Sequence, residues 1–515
     1  MKRRDVLRTL AGAAALAPLS AVTTLAGASG QRQGVPAPPR ARLPRVHVSP
    51  DGHSLQTDDG RPFFWLGDTA WELIHSTTPD ETAFYLRTRA RQGFTVIQAV
   101  ALAELDGLNR PDEQDQRPFV DNDPTRPNSA YFDHVVAVVD RAADEGLYVA
   151  LLPTWADKVT APWGAGPRIF TTDNLPAVRG YGRFLGNLLR ERTNVIWMLG
   201  GDRPPRVSGA LAGVGAHTEG LARRATAAGF ATDVDWTPIW REMAVGITAA
   251  TEGRPLITYH PQGGFESTSV FLHGERWLDV NGMQSGHGGG HDVPVWEWIA
   301  RDYALTPPKP TLDLEPNYED HPYNPWPSWD PANGYFRDHD VRKQTYRSVF
   351  AGGCGVTYGH HAVWQFAGKR REVLNHPDRD WIDALWRPAA RQMQFLRWLA
   401  ESRPWFTRIP DQALIVGDAG SGGVHLQAMR DAAGSWAFVY FPLNDQAATI
   451  DLGRLAARRI TGWWYDPRTG AAHPLGELAG GAHRAFRSPP YGPDWVLVLD
   501  DAARRFPPPG MSERA

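Results

Sequence analysis

A single cysteine, Cys354, stands in 515 residues, so no internal disulfide can form. It lies in Ala351-Gly352-Gly353-Cys354-Gly355-Val356 and reads as a small buried apolar residue, not a nucleophile. A strong charge of either sign is also missing. The formal net charge is −3, which gives no support to nucleic acid or an anionic membrane surface as a partner. After the N-terminus, no run reaches the ~20 continuous apolar residues that a transmembrane helix requires. Nor does any segment call for a cofactor. What the chain has instead is 21 Trp, 51 Gly and 43 Pro. Gly and Pro suit long loops, and indole rings suit the C–H faces of sugars.

The N-terminus reads as an export signal. Met1-Lys2-Arg3-Arg4-Asp5-Val6-Leu7 carries the paired arginines of a twin-arginine signal. An Ala-rich apolar run from Leu10 to Ala26 follows, and Ala26-Gly27-Ala28 has the small-x-small form of a cleavage site. Residues 1–28 are therefore expected to be removed, residues 29–45 to form a Pro-rich linker, and the mature protein to be periplasmic or secreted, free of the membrane.

Such a length exceeds a single core, because cores stop growing at roughly 250–300 residues. Between about residues 60 and 400, continuous apolar runs alternate with amphipathic stretches. The runs are Phe63–Gly67, Thr95–Val100, Tyr148–Pro153, Val195–Gly200, Leu256–His260, Val280–Gln284, Pro310–Leu314 and Gly355–Gly359. Continuous polarity suits strands buried on both faces of a parallel sheet. Helices are predicted at Pro79–Gln92, Phe132–Glu145, Leu175–Arg190, Ile239–Glu252 and Val341–Phe350, with Thr78 and Glu81 forming a capping box. Eight such units predict an α/β fold, a (β/α)8 TIM barrel over residues 46–403. The fifth and sixth units are less distinct, since Gln262–Gly264 and Gly286–Gly290 also suit loops within one unit. From residue 404 to 515, short β-rich runs separated by Gly, Asp, Asn and Pro predict a smaller antiparallel β-sandwich.

Active-site residues of such a barrel sit just past the strands. The polar and aromatic residues there are Asp68 and Trp71, Glu104, Trp155 and Asp157, Asp202, His260, Gln284 and His287, Glu315 and Tyr318, then His360, His361 and Trp364. Two carboxylates stand out. Asp202 follows Val195-Ile196-Trp197-Met198-Leu199-Gly200-Gly201, where two glycines let the backbone approach a ligand. Glu315 closes Pro310-Thr311-Leu312-Asp313-Leu314. Counted along the barrel, they follow strands four and seven. Opposed carboxylates are what glycosidic cleavage needs, one to protonate the leaving oxygen and one to attack or stabilise the anomeric carbon. An ion pair between Asp202 and Arg203 is the structural alternative. Asp68, Trp71, Trp155, His260, Gln284, His287, Tyr318, His360 and Trp364 are the candidates for binding a polysaccharide or oligosaccharide substrate, loop packing being the alternative for each.

Phe64-Trp65-Leu66-Gly67-Asp68-Thr69-Ala70-Trp71, Leu199-Gly200-Gly201-Asp202-Arg203 and Glu315-Pro316-Asn317-Tyr318-Glu319 resemble the signature segments of the apiosidase-like family, glycoside hydrolase family 140. The likeness runs from about Val46 to Ser402. Gly462-Trp463-Trp464-Tyr465-Asp466-Pro467-Arg468-Thr469-Gly470 is similar to the "collagen-binding" type of β-domain that often follows. This resemblance implies a TIM barrel, hydrolysis of apiose-containing side chains of pectin and a retaining mechanism. It also implies that Asp202 is the acid/base and Glu315 the nucleophile. Glu315 is then expected to be ionised and Asp202 protonated, helped by the charge of Glu315.

Two other classes are weighed against this one. A metallohydrolase would draw ligands from His287, His291, His360 and His361, but three glycines between the first pair make a zinc-binding helix improbable, and no metal site is assigned. A non-catalytic sugar-binding protein on a degenerate barrel would lack one carboxylate, and both are present. Sugar binding by the β-domain requires Trp463, Trp464 and Trp495 to be exposed, and core packing is the expectation for them.

Overall fold

The computed structural model describes residues 42–160, 167–208, 233–251, 255–264, 267–323, 329–368, 371 and 373–511. The export signal and most of the linker predicted for residues 1–45 lie outside the described residues.

Eight parallel strands close a barrel: β1 Trp65–Thr69, β2 Val96–Val100, β3 Tyr148–Leu152, β4 Val195–Gly200, β5 Ile257–His260, β6 Asn281–Met283, β7 Thr311–Asp313 and β8 Gly355–Tyr358. Neighbours pair in parallel from β1 to β5, β6 pairs β7, and β8 pairs β1. A Thr258–Val280 bridge joins β5 to β6, and Cys354 N–H donating to Thr311 O at 2.9 Å joins β7 to β8. The less distinct fifth and sixth units are thus two strands, connected through one helical turn at Ser269–Leu272.

Side chains alternate across the barrel wall. Trp65, Val96, Val100, Ala150, Leu152, Ile196, Met198, Val280, Leu312 and Cys354 fill the interior. Leu66, Ile97, Val149, Leu151, Trp197, Leu199, Ile257, Tyr259, Val356 and Tyr358 face the helices. Cys354 is fully buried, and burial pushes its thiol up to about 12, so it is inert packing.

The longer helices are α1 Pro79–Arg91, α2 Ser129–Asp144, α3 Leu175–Leu189, α4 Thr237–Ala250, α5 Val295–Tyr303, α6 Asp338–Phe350 and α7 Pro388–Glu401. Helix α1 starts on the predicted capping box, with Thr78 Oγ1 accepting from Glu81 N–H and Glu81 Oε2 from Thr78 N–H. Helices α3 and α4 cross so closely that a Cβ on Gly246 would lie 2.2 Å from Arg179 O. Among the described residues, no helix is long and apolar enough to cross a membrane.

The C-terminal strands are β9 Arg408–Pro410, β10 Ile415–Val416, β11 Gln427–Asp431, β12 Trp436–Phe441, β13 Ala447–Asp451, β14 Arg459–Tyr465, β15 Ala472–Ala479, β16 His483–Arg487 and β17 Trp495–Asp501. They form an antiparallel sandwich of a six-stranded sheet, β9-β11-β12-β17-β14-β15, and a three-stranded one, β10-β13-β16. Trp464 and Trp495 are buried between the sheets, and Trp463 packs, partly buried, towards the barrel side. The outer face of the large sheet, through Phe438 and Tyr440, continues the core that contains Tyr346 and Phe350 of α6.

Candidate active site

Glu315 lies just past β7 and is 5% exposed. Its Oε1 accepts from Gln284 Nε2 at 2.9 Å and pairs with His287 Nε2 at 3.0 Å. Its Oε2 faces His260 Nε2 at 3.0 Å and, among the described residues, accepts no well-aligned hydrogen bond. Both imidazoles have a fixed tautomer. Asp202 N–H donates to His260 Nδ1 at 3.2 Å, and Tyr318 N–H to His287 Nδ1 at 3.5 Å. Each ring therefore carries its proton on Nε2 and turns it towards Glu315. Burial alone would push the Glu315 carboxyl up, but these two histidines outweigh it and hold it at about 2.

Asp202 stands across the barrel mouth, joined to Glu315 through His260. Its side chain is 31% exposed and pairs with Arg203 Nη1 at 3.1 Å. The segment before it needs both glycines, for a reason other than ligand access. Gly200 and Gly201 have φ of +86° and +120°. A Cβ at the first would meet His260 O at 2.3 Å, and at the second the Trp155 ring at 2.9 Å.

Two indole rings flank His260, the residue that joins the acids. Trp71 and Trp155 approach to 5.2 Å between centroids, and His260 lies 5.0 Å from the first and 5.8 Å from the second. Trp71 Nε1 donates to Tyr318 Oη at 3.1 Å, and burial and the charge of Glu315 keep that phenol well above its usual value. Trp155 Nε1 is buried and, among the described residues, has no hydrogen-bond partner. Trp364 Nε1 donates to His361 Nδ1 at 3.3 Å, and His361 packs on His321, which stacks on His287 at 4.3 Å. Trp71, Trp155, His260, Gln284, His287 and Tyr318 thus converge on the carboxylates, with Trp364 behind them.

Two substrate-binding expectations are corrected. Asp68 is fully buried on the outer face of β1, where its carboxylate pairs with Arg89 Nε at 2.6 Å and accepts from the Tyr85 hydroxyl. His360, also fully buried, points away from the mouth and pairs with Asp320 Oδ2 at 3.1 Å, while Ala362 N–H donates to its Nδ1. One cause explains both. Trp65 and Gly67 alternate with Leu66 and Asp68, and Thr357 and Gly359 with Tyr358 and His360, so each misassigned residue has the parity that faces the helices. The two ends of His287-Gly288-Gly289-Gly290-His291 also serve different acids, Glu315 and Asp340. Among the described residues, no three His, Cys, Asp or Glu side chains are grouped to hold a metal ion.

Several residues of the site escaped the sequence reading. Asn317 Oδ1 accepts from His287 N–H at 3.0 Å. Asp313 Oδ1 accepts the Glu315 and Ser285 amides, each at 3.3 Å. Glu104 and Asp157, which the sequence places on the rim without a role, surround Asp202 with acid. Burial, then the charges of Glu72, Asp202 and Asp157, raise the Glu104 carboxyl well above its usual value against the pull of Arg203. Asp157 pairs with Lys158 at 2.7 Å.

Glu72, next to Trp71, is 1% exposed, and burial pushes it up to about 7. A carboxyl raised in the folded state binds more protons there than in the unfolded chain, so its contribution to stability falls as pH rises from about 4.5 to 7. Glu72→Gln should therefore stabilise the protein above pH 7, by on the order of 3 kcal/mol, and leave stability near pH 4 unchanged. Urea unfolding at both pH values checks this, and equal stabilities at pH 7.5 would show that Glu72 is not the source of such a slope.

Comparison with known proteins agrees with this geometry. Residues 49–407 match the model of the "Apiosidase-like, catalytic domain" family, and residues 409–500 match that of "Putative collagen-binding domain of a collagenase". A solved structure named "Glycoside hydrolase" superposes with a TM-score of 0.76 at 27% identity, covering 90% of this chain and 98% of its own. Another, described as a glycoside hydrolase family 5 from Bacteroides vulgatus ATCC 8482, gives 0.76 at 28% identity over 91% and 95%. No curated protein matches the chain. The chain belongs to the apiosidase-like family and is a glycoside hydrolase.

Proposed function

We propose that this hydrolase removes a sugar side chain, apiose-containing or similar, from a plant or bacterial polysaccharide, after export by the twin-arginine route. Its mechanism is a retaining double displacement. The observation that supports it best is the asymmetry of Glu315: Oε1 is occupied by Gln284 and His287, whereas Oε2 lacks an aligned donor and faces the mouth residue His260. A carboxylate ionised down to about pH 2, with one oxygen held by two donors and the other left without an aligned one, suits a nucleophile.

In the first step Glu315 Oε2 forms a bond to the anomeric carbon as the glycosidic C–O bond breaks. The electron pair passes to the leaving oxygen, which takes the proton of Asp202. In the second step Asp202, now a carboxylate, deprotonates a water. That water attacks the anomeric carbon, the Glu315 ester breaks, and both residues return to their starting states. The indoles of Trp71 and Trp155 hold the sugar face, and the Trp155 N–H meets a hydroxyl.

Sugar release by the mature protein from a panel of plant and bacterial polysaccharides tests this reading. One defined product from an apiose-bearing pectin is expected. Release of a different sugar would reassign the substrate, and silence on every glycan would favour a binding protein. Asp202→Ala should slow polysaccharide cleavage by about three orders of magnitude while sparing the first step on an aryl glycoside with a good leaving group. Equal losses on both substrates would remove Asp202 from the acid role.

A further inference from the structure

Helix α6 is unusual for a helix on the outside of a barrel. Every side chain from Asp340 to Phe350 is buried, although the stretch includes Asp340, Arg342, Lys343, Gln344 and Arg347. Buried charges are costly unless paired, so their partners reveal what the helix holds together. Those partners belong to three different places.

The first is the nucleophile loop. Gln344 Oε1 accepts from Asn317 N–H at 2.9 Å, and Gln344 Nε2 donates to Ser285 Oγ at 2.5 Å. Ser285 Oγ in turn donates to Asp313, whose other oxygen accepts the Glu315 amide. The second is the Gly-rich loop that carries His287. Lys343 Nζ pairs with Asp292 at 2.8 Å, Arg347 Nη1 reaches the same oxygen at 3.4 Å, and His291 Nδ1 pairs with Asp340 at 2.9 Å. The third is the C-terminal domain. Arg347 Nε donates to His425 O at 3.0 Å and Nη2 to Gly423 O at 3.1 Å, while Arg342 pairs with Asp494 at 2.8 Å. His425 also stacks on Trp296 of α5, with centroids 4.1 Å apart and planes at 11°.

We propose that α6 is a strut through which the C-terminal β-domain positions Glu315 and His287, with Gln344 and Arg347 as the positioning residues. The β-domain is then part of the catalytic architecture, not an appended ligand-binding module. Arg347 is the decisive link, because it divides its donors between an acid of the active-site loop and two carbonyls of the β-domain. Gln344, one helical turn earlier, passes the same restraint to the backbone on either side of Glu315. This proposal rests on Glu315 being the nucleophile, so its test needs one readout that does not involve activity.

Arg347→Met removes the link to the β-domain, and Gln344→Met removes the link to the nucleophile loop at nearly constant volume. Arg403→Met serves as the control. It breaks another buried contact between the same two bodies, Arg403–Asp500 at 2.7 Å, that shares no hydrogen bond with the Glu315 network. Amide hydrogen exchange of peptides covering residues 284–293 and 313–319 is followed in the full-length proteins, together with kcat and KM for sugar release. Arg347→Met is expected to speed exchange across 284–293 about tenfold and Gln344→Met across 313–319. Each should lower kcat about tenfold with a smaller change in KM. The control should lose comparable thermal stability with neither effect. Unchanged exchange in both test variants, or equal acceleration in the control, would overturn the strut. Faster exchange with kcat intact would keep the strut and remove Glu315 and His287 from the chemistry. If Arg347→Met does not fold, Arg347→Lys takes its place with the same two outcomes, since it keeps a charge beside Asp292 and loses the forked contact with the Gly423 and His425 carbonyls.

Discussion

Glu315→Ala is expected to lower kcat by about four orders of magnitude or more, with the protein still folding cooperatively. The size of the loss follows from the role. A nucleophile removed from a double displacement leaves only general acid assistance and binding. Folding should survive because the groups around Glu315 keep other hydrogen-bond partners or are amides. His260 and His287 both accept a backbone N–H on Nδ1, and Gln284 is an amide. Their loss of an acceptor costs about 1–3 kcal/mol, less once water enters the vacated space. Azide supplied to this variant should restore turnover and yield a glycosyl azide of inverted configuration, because the anion occupies the place of the missing carboxylate. Activity above a few per cent of wild type, without azide, would remove Glu315 from the nucleophile role.

Asp68→Ala should do the reverse, damaging stability and sparing substrate affinity. Arg89 and Asp68 are both fully buried, and the substitution leaves a guanidinium inside the protein without its carboxylate. Breaking such a pair from one side costs about 3–5 kcal/mol. The Tyr85 hydroxyl loses its acceptor as well, although Arg89 keeps Gln92 Oε1 at 2.8 Å. Replacing both partners, as Asp68→Leu with Arg89→Met, should recover most of the loss, since no stranded charge remains. KM should stay within about twofold of wild type in both proteins. A raised KM at unchanged melting temperature would return Asp68 to the substrate site.

Asp68 also shows where sequence and structure part. The barrel strands were legible because each is a continuous apolar run, buried on both faces, and the eight observed strands fall within or overlap the eight runs. The order of the carboxylates around the mouth followed from that count. Side-chain direction did not, because a strand apolar on both faces hides its own parity. Asp68 and His360 were grouped with the mouth residues on position alone. In β7 the alternation of Leu312 and Leu314 with Asp313 held the missing signal, an acid two residues before Glu315 that faces away from the barrel interior.

The β-domain shows a different limit. Its core strands Trp436–Phe441 and Trp495–Asp501 are continuous apolar runs that stand out in the sequence, whereas Ala472–Ala479 and His483–Arg487 do not. Those two are edge strands whose side chains are almost all exposed, so burial imposes no pattern on them. Gln344, Asn317 and Ser285 were illegible for a third reason. They act through backbone amides and one another, and such contacts leave no mark in residue type or spacing.

The most direct test of a covalent intermediate on Glu315 is the anomeric configuration of the sugar at the moment of release, read by proton NMR in the first minutes of reaction. Retention, followed by slow mutarotation, is the predicted result. Inversion would mean that water attacks the anomeric carbon in a single step, and Glu315 would then be the base that activates that water.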